Sequence, residues 1–140
     1  DNNENPLPFV GEEGCWDHPN VKKYKELADS VDAFVLSSPE YHGTMSGVMK
    51  NSLDWLSFNQ TSGIVFAFIS TLGGQSNTTT LNHMRTVVRW IHGFSIPEQL
   101  VIAKVKTAFD DDGNLIDDDI KNRVEKFVDS IIKHTEKLRG

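Results

Sequence analysis

The fold of this chain is decided by residues 37–47, which read Ser37-Ser38-Pro39-Glu40-Tyr41-His42-Gly43-Thr44-Met45-Ser46-Gly47. The apolar run from Val31 to Leu36 before them is typical of a buried strand, which we predict to end at Ser37. The pattern after them, capped by Ser46, predicts an amphipathic helix that ends near Phe58. A strand, a loop and a helix form half of a βαβ unit, and ligands bind outside the carboxyl ends of such strands. The loop is therefore a candidate ligand site.

The rest of the chain continues the alternation of helices and strands. Pro19 in a first helical turn predicts a helix from Asp17 or His18 to about Ser30. The following elements are predicted as a strand at 64–70, a helix at 78–92 ended by Gly93, and a strand at 100–105. A turn at 110–114 then leads to a final helix that Asp117 caps. The apolar residues of that helix expected to face inward are Ile120, Val124, Phe127, Val128 and Ile131. This order predicts an α/β fold with a doubly wound parallel sheet.

Composition narrows the class of partner. The 140 residues are enough for one domain with one core, which we predict to span residues 1–140. A net charge of −6 argues against nucleic acid, since nucleic-acid binders carry a basic face. The single cysteine, Cys15, excludes a disulfide framework and suits the cytoplasm. No apolar stretch is long enough to span a bilayer, and the histidines show no metal-ligand spacing. We expect no membrane association and no metal.

A second loop follows the next predicted strand and reads Thr71-Leu72-Gly73-Gly74-Gln75-Ser76. Glycine lets a backbone approach a ligand closely, and Gly43, Gly73 and Gly74 are all available for this. Gly73 and Gly74 by themselves are more often a turn than a ligand loop. Because both loops follow parallel strands, we expect them at the same edge of the sheet.

The segment from Ser38 to Thr44, followed by Gly47 to Trp55, closely resembles the motif of NAD(P)H-dependent FMN reductases of flavodoxin-like fold, which include azo-dye, chromate and quinone reductases. In that family Asn is common where this chain has His42. The 71–75 loop and the segment Phe109 to Leu115 are also similar to family segments. The resemblance implies a three-layer α/β/α flavodoxin-like sheet.

The resemblance also implies a cofactor and a reaction. FMN would be held by residues of the two loops, and NADPH or NADH would be the co-substrate. The acceptor would be a small molecule such as a quinone, an azo compound, a free flavin or a metal oxyanion, reduced by a ping-pong mechanism. No side chain is assigned as catalytic, because the flavin carries the chemistry. The cofactor-binding residues are then Pro39, Glu40, Tyr41, His42, Gly43, Thr44, Thr71, Gly73, Gly74 and Gln75.

Several alternatives stay open at this point. Tyr41 could be a packing residue, His42 a solvated loop residue, and Glu40 a structural residue that holds loop amides or a subunit contact. The helix from Val48 to Phe58 carries apolar residues on more than one face, which favours a homodimer or homotetramer through it. Trp55 on that helix is predicted at a subunit contact or in the core. The chain could also be a non-enzymatic FMN electron carrier or a flavin-free interaction module.

The family motif also carries an expectation about the start of the sequence. Family members begin with a strand and a phosphate-binding loop at a helix N-terminus, and nothing in this sequence resembles them. Residues 1–10 resemble the end of the family's second strand. We therefore expect the first strand, its loop and the first helix to be absent from this chain, which would make the domain N-terminally incomplete.

Overall fold

The computed structural model describes residues 4–75 and 77–140. Its elements, in chain order, are α1 (Pro19–Asp29), β1 (Ala33–Tyr41), β2 (Thr44–Met45), α2 (Gly47–Asp54), α3 (Phe58–Thr61), β3 (Val65–Thr71), α4 (Thr79–Trp90), β4 (Phe94–Ile102) and α5 (Asp118–Arg139). The strands form one sheet in the order β2-β1-β3-β4. β1, β3 and β4 are parallel, and β2 is a short antiparallel strand at the edge. The predicted α/β architecture is confirmed.

Helices cover both faces of this sheet. Against one face, residues of α1, α2 and α4 pack around Phe66 and Phe68, which are fully buried. Against the other face, Phe127 of α5 packs with Val65 and Ala67. Four consecutive residues of β3 are buried, as the continuous apolar run predicted for a strand covered on two sides. None of the described helices combines the length and the apolar character that a bilayer span needs.

β4 begins at Phe94, six residues before the predicted strand. A bulge interrupts its apolar pattern, so the sequence indicates only the part after the bulge. The pairing with β3 shifts between Phe66 and Phe68, which lie opposite Ser95 and Gln99. The Arg85 guanidinium on α4 donates to the carbonyl oxygens of Ile96 at 2.8 Å and Pro97 at 3.2 Å. The Arg85 side chain on the preceding helix therefore stabilises the bulge. The sequence of β4 itself does not reveal this contact.

α2 ends at Asp54 instead of continuing to Phe58. Ser46 caps the helix as predicted, its hydroxyl accepting from the Met49 amide at 3.2 Å. Trp55 and Leu56 then turn into the core, with 2% and 6% of their surface exposed. α3 starts after Ser57, whose amide and hydroxyl donate to Gln60 Oε1. Burying two consecutive large side chains requires the chain to leave the helix.

The described part of the N-terminal segment contains no strand, so the expectation that residues 1–10 end a strand is wrong for residues 4–10. The segment crosses α1 and α2 as irregular chain, and prolines at 6 and 8 have no amide to donate to a sheet. Its carbonyl oxygens accept from side chains instead. Asn20 Nδ2 donates to Pro6 O at 2.8 Å, Asn51 Nδ2 to Leu7 O at 3.1 Å, and Trp55 Nε1 to Pro8 O at 2.9 Å.

Two details of the last helices also differ from expectation. The left-handed residue after α4 is His92, with φ of 64°, and not Gly93. Val128 of α5 is 45% exposed, because it follows the inward Phe127 by about 100° around the helix. The Asp117 cap is confirmed, its carboxylate accepting from the Asp119 and Ile120 amides.

Candidate functional site

The two loops predicted as a ligand site are neighbours at the carboxyl edge of the sheet. β1 and β3 pair in unbroken register from Ala33 opposite Val65 to Pro39 opposite Thr71. The ends of the two strands therefore lie side by side, and each of the loops continues from one of them. The register places Pro39 beside Thr71, while Tyr41, His42 and Thr44 share a cavity that no residue of the 71–75 loop lines.

The first of these loops is a hairpin and not an open loop. β1 continues four residues beyond the predicted end, because Glu40 pairs with Met45 and Tyr41 with Thr44. His42 and Gly43 form the turn with φ of 52° and 80°. Two successive positive φ angles are typical of the tight turn that suits the twist of a hairpin. Pro39, Glu40 and Tyr41 are therefore strand residues, and their backbone is more rigid than a loop would be.

Two serines anchor the hairpin to α2. Ser38 is 1% exposed, and its hydroxyl oxygen accepts from the Ser46 amide at 2.9 Å. The same hydroxyl donates to Pro39 O at 2.9 Å. Ser46 in turn caps α2. The position of the hairpin relative to the helix is therefore set by hydrogen bonds that are sheltered from water.

Glu40 joins the hairpin to the start of α4 and to Asn77, just before it. Its Oε1 accepts from Asn77 Nδ2 at 3.0 Å, and its Oε2 accepts from Thr80 Oγ1 at 3.2 Å. Asn77 Oδ1 accepts from the amide and the hydroxyl of Thr79, the first residue of α4, so Asn77 is itself held against the helix start. The structural role foreseen for Glu40 is therefore present, although its partners are side chains and not loop amides.

We predict that Glu40→Ala lowers the free energy of unfolding by about 1–2 kcal/mol, because two hydrogen bonds to a charged group are lost. Hydrogen exchange of the amides of residues 77–82 should speed up more than exchange in β3. Glu26→Ala, an exposed glutamate of α1, is the control and should change neither measurement. Equal exchange at 77–82 in Glu40→Ala and the control would show that Glu40 does not hold the hairpin to the start of α4.

The second loop has open space beside its glycines. Leu72 is buried and anchors the loop, since its amide donates to Ile102 O at 3.1 Å and its carbonyl accepts from the Val105 amide at 3.0 Å. Gly73, Gly74 and Gln75 are exposed. A Cβ placed on Gly73 or Gly74 meets no atom within 4 Å, and the same holds for Gly43. Ser76 lies outside the described residues.

A cavity of about 660 Å³ lies between the hairpin and α4. Its lining residues come from the hairpin, from the start of α2 and from the outer face of α4: Tyr41, His42, Thr44, Met45, Gly47, Lys50, His83, Thr86 and Val87. Tyr41 is 61% exposed, so it is not a core packing residue. His83 Nδ1 lies 2.9 Å from Thr44 Oγ1. Sequence reasoning missed His83, because its distance from the hairpin along the chain gives no motif.

These features fit a flat ligand with polar edges. Ser70, the last residue but one of β3, has a fully buried hydroxyl with no hydrogen-bond partner among the residues described. Ser70 directly precedes Thr71, the first residue of the second loop, and pairs with Ser38 on β1. The exposed Tyr41 ring offers one face against which a ring can lie, and the space beside Gly73 and Gly74 is open to a second approach. Across residues 4–75 and 77–140, no group of three His, Cys, Asp or Glu side chains is placed to hold a metal ion.

Comparison with known proteins identifies the family of the chain. The family model for NADPH-dependent FMN reductase matches residues 1–107. The NADPH-dependent FMN reductase ArsH of Acidithiobacillus ferrooxidans is 33% identical over 128 residues, which are 88% of this chain and 54% of that protein. The FMN-dependent NADPH-azoreductase of Staphylococcus haemolyticus is 33% identical over 132 residues, 91% of this chain and 70% of that protein. The chain thus spans about half the length of the ArsH relatives it matches.

A solved structure supports the fold. FerB, a flavoenzyme NAD(P)H:(acceptor) oxidoreductase from Paracoccus denitrificans, superposes with a TM-score of 0.78 at 24% sequence identity. The match covers 94% of this chain and 76% of that chain. The expected flavodoxin-like fold class is confirmed.

Proposed function

The chain belongs to the NADPH-dependent FMN reductase family, and we propose that it works as an FMN-dependent oxidoreductase with NADPH or NADH as electron donor and a small molecule as acceptor. The observation that supports this best is the parallel pairing of β1 and β3, which places the starts of the two glycine-bearing loops at one edge of the sheet. The chain also matches the family over residues 1–107. Bound FMN would supply the hydride chemistry, and the protein would orient it.

The residues of this chain are assigned to the ring end of the cofactor. The hairpin would hold one side of the ring through Tyr41 and its neighbours, and the exposed loop at Gly73 and Gly74 would approach it with backbone amides. Glu40 would hold the hairpin at a constant position against the start of α4, the helix that follows the second loop. The complete assignment is Pro39, Glu40, Tyr41, His42, Gly43, Thr44, Thr71, Gly73, Gly74 and Gln75.

We also propose a ping-pong mechanism, in which the nicotinamide leaves before a quinone, azo compound, free flavin or metal oxyanion takes its place. The open space at Gly43, Gly73 and Gly74 supports a slot that admits more than one acceptor. A non-enzymatic electron carrier is the second candidate, but relatives named as reductases favour the enzyme. NADPH oxidation by the FMN-loaded protein with a quinone tests the proposal. An FMN-loaded protein that does not oxidise NADPH would be a carrier.

We predict that Gly74→Val weakens FMN binding at least about tenfold, because a branched side chain would fill the space that a ring needs, and about 1.4 kcal/mol is enough for that loss. Gly74 has no positive φ and no neighbour within 4 Å, so the fold should be retained. Gly43→Val is a poorer test, because Gly43 has φ of 80° and valine would strain the turn. FMN fluorescence titration measures the effect, with Asn59→Val on α3, at the other end of β3, as control. Unchanged FMN affinity in Gly74→Val would remove the second loop from the site.

We further propose that the chain forms a homodimer or homotetramer through the faces of α2 and α4. Val48 on α2 is 57% exposed, Phe58 just after it 53%, and Trp90 on α4 72%. The groove between the two helices leads to Trp90 and encloses about 460 Å³. Trp55 does not belong to this surface, because it is buried within its own chain.

Trp90→Glu is therefore expected to reduce the assembly to monomers, since a charge would replace the most exposed large apolar side chain of this face. Sedimentation velocity at micromolar protein measures the mass. Ile116→Glu, a position 58% exposed outside the helices, is the control and should leave the mass unchanged. A monomeric wild-type protein, or a Trp90→Glu variant with the wild-type mass, would contradict the proposed interface.

We place the protein in the cytoplasm, with no nucleic acid and no membrane as partner. The net charge of −6 and the single cysteine, buried at Cys15, support this placement.

A further inference from the structure

The cavity between the hairpin and α4 has the size and composition of a small-molecule pocket. Its volume of about 660 Å³ lies within the range of ligand pockets, roughly 300–1,000 Å³. Its lining is mostly apolar, and the Tyr41 ring, Met45 and Val87 contribute to it. It adjoins the hairpin on which the proposed flavin site is built, so a molecule bound there would lie next to that site.

His83 is the one polar side chain of α4 in this wall that can exchange a proton. Its Nδ1 is 2.9 Å from Thr44 Oγ1, and Nε2 has no partner among the described residues. A hydroxyl can donate or accept, so the contact holds the imidazole in either protonation state. The imidazolium gives its Nδ1 proton to a hydrogen bond with Thr44 and carries a second proton on Nε2.

The other charged groups of the cavity do not take that role. Lys50 is paired with Asp54 one turn along α2. His42 lies in the turn, and no hydrogen bond from its ring to a described residue orients it. Of these three side chains, His83 is the one that a hydrogen bond to Thr44 orients between α4 and the hairpin.

We propose that this cavity binds a flat, apolar acceptor of the quinone class and that His83 donates a proton to it; this inference rests on the proposed function. Reduction of a quinone takes two electrons and two protons. A hydride that originates in NADPH brings both electrons and one proton, and leaves one oxygen of the hydroquinone as an anion. That oxygen takes the Nε2 proton of the His83 imidazolium, and neutral His83 regains a proton from water. Thr44 is the positioning residue, since Nδ1–H keeps the same hydrogen bond throughout.

The test compares two acceptors and three variants of the FMN-loaded protein. 1,4-Naphthoquinone needs protons, whereas ferricyanide takes single electrons and none. The variants are His83→Phe, which removes both nitrogens, His83→Gln, which keeps a hydrogen-bond donor without a transferable proton, and Asn82→Ala, an exposed neighbour, as control. Binding of 1,4-naphthoquinone to the oxidised protein is measured by calorimetry without NADPH.

His83→Phe should weaken naphthoquinone binding about fivefold, as expected for one lost hydrogen bond. It should also lower the ratio of kcat/KM for naphthoquinone to that for ferricyanide by about a hundredfold, within the range of general acid catalysis. His83→Gln should restore binding but not the ratio, and Asn82→Ala should match wild type in both measurements. A ratio that stays at the wild-type value in His83→Phe overturns the role of His83.

Naphthoquinone that binds His83→Phe as tightly as wild type overturns the cavity assignment. Failure of the proposed function is a separate result, because NADPH oxidation would then be absent with ferricyanide too. In that case, binding of naphthoquinone to wild type and His83→Phe alone decides whether the cavity takes this class of molecule.

Discussion

Gly93→Val should lower the free energy of unfolding by about 3 kcal/mol or more. Folded domains are stable by only about 5–15 kcal/mol, so this is a large loss. A Cβ on Gly93 would lie 2.6 Å from two ring carbons of Phe66 and 2.7 Å from Val88 Cγ1. Phe66 and Val88 are both fully buried, so neither can move without disturbing the core. The Gly93 amide donates to Val88 O at 2.9 Å, which prevents the backbone from retreating.

Urea unfolding of Gly93→Ala and Gly93→Val measures this effect, and the loss should increase from alanine to valine. Gly73→Ala is the matched control, because its Cβ would meet no atom within 4 Å and its φ is not positive. That control should change the free energy of unfolding by less than about 0.5 kcal/mol. If Gly93→Ala unfolds at the same urea concentration as Gly73→Ala, the close approach of α4 to β3 at this glycine is not as tight as described.

Trp55→Ala should cost about 3–5 kcal/mol, the usual range for removal of a buried aromatic side chain. Trp55 is 2% exposed, meets Trp16 edge to face at 5.3 Å between ring centroids, and donates from Nε1 to Pro8 O. Its loss leaves a cavity and removes one of the two side-chain hydrogen bonds to Pro8 O, which keeps only the bond from Asn51 Nδ2 at 3.2 Å. The residues before α1 should also detach, so limited proteolysis near Val10 should speed up.

Trp90→Ala is the matched control, because Trp90 is 72% exposed. At protein concentrations where the chain is monomeric, it should change the free energy of unfolding by less than about 0.5 kcal/mol. Similar losses in the two variants would mean that Trp55 contributes no more to the core than a surface tryptophan does.

Helix starts and the alternation of helices with β1, β3 and β4 were predictable from the sequence, whereas β2 and α3 were not. Ser46 and Asp117 cap their helices as predicted, since a side-chain oxygen reaches an amide two or three residues away. The apolar run of β3 likewise predicts a strand covered on both faces. The end of α2 was not predictable in this way, because Trp55 leaves the helix to reach the carbonyl of Pro8, 47 residues earlier.

The candidate site divides along the same line. Sequence alone predicted ten site residues in the two loops, which stay a prediction, and, through the family motif, the class of cofactor. The tertiary structure decided that Pro39 to Tyr41 are strand residues, that Glu40 links the hairpin to Asn77 and Thr80, and that His83 reaches Thr44. Capping and periodicity are properties of short segments, whereas contacts between residues about 40 positions apart exist only after the parallel register of β1 and β3 has placed α4 beside the hairpin.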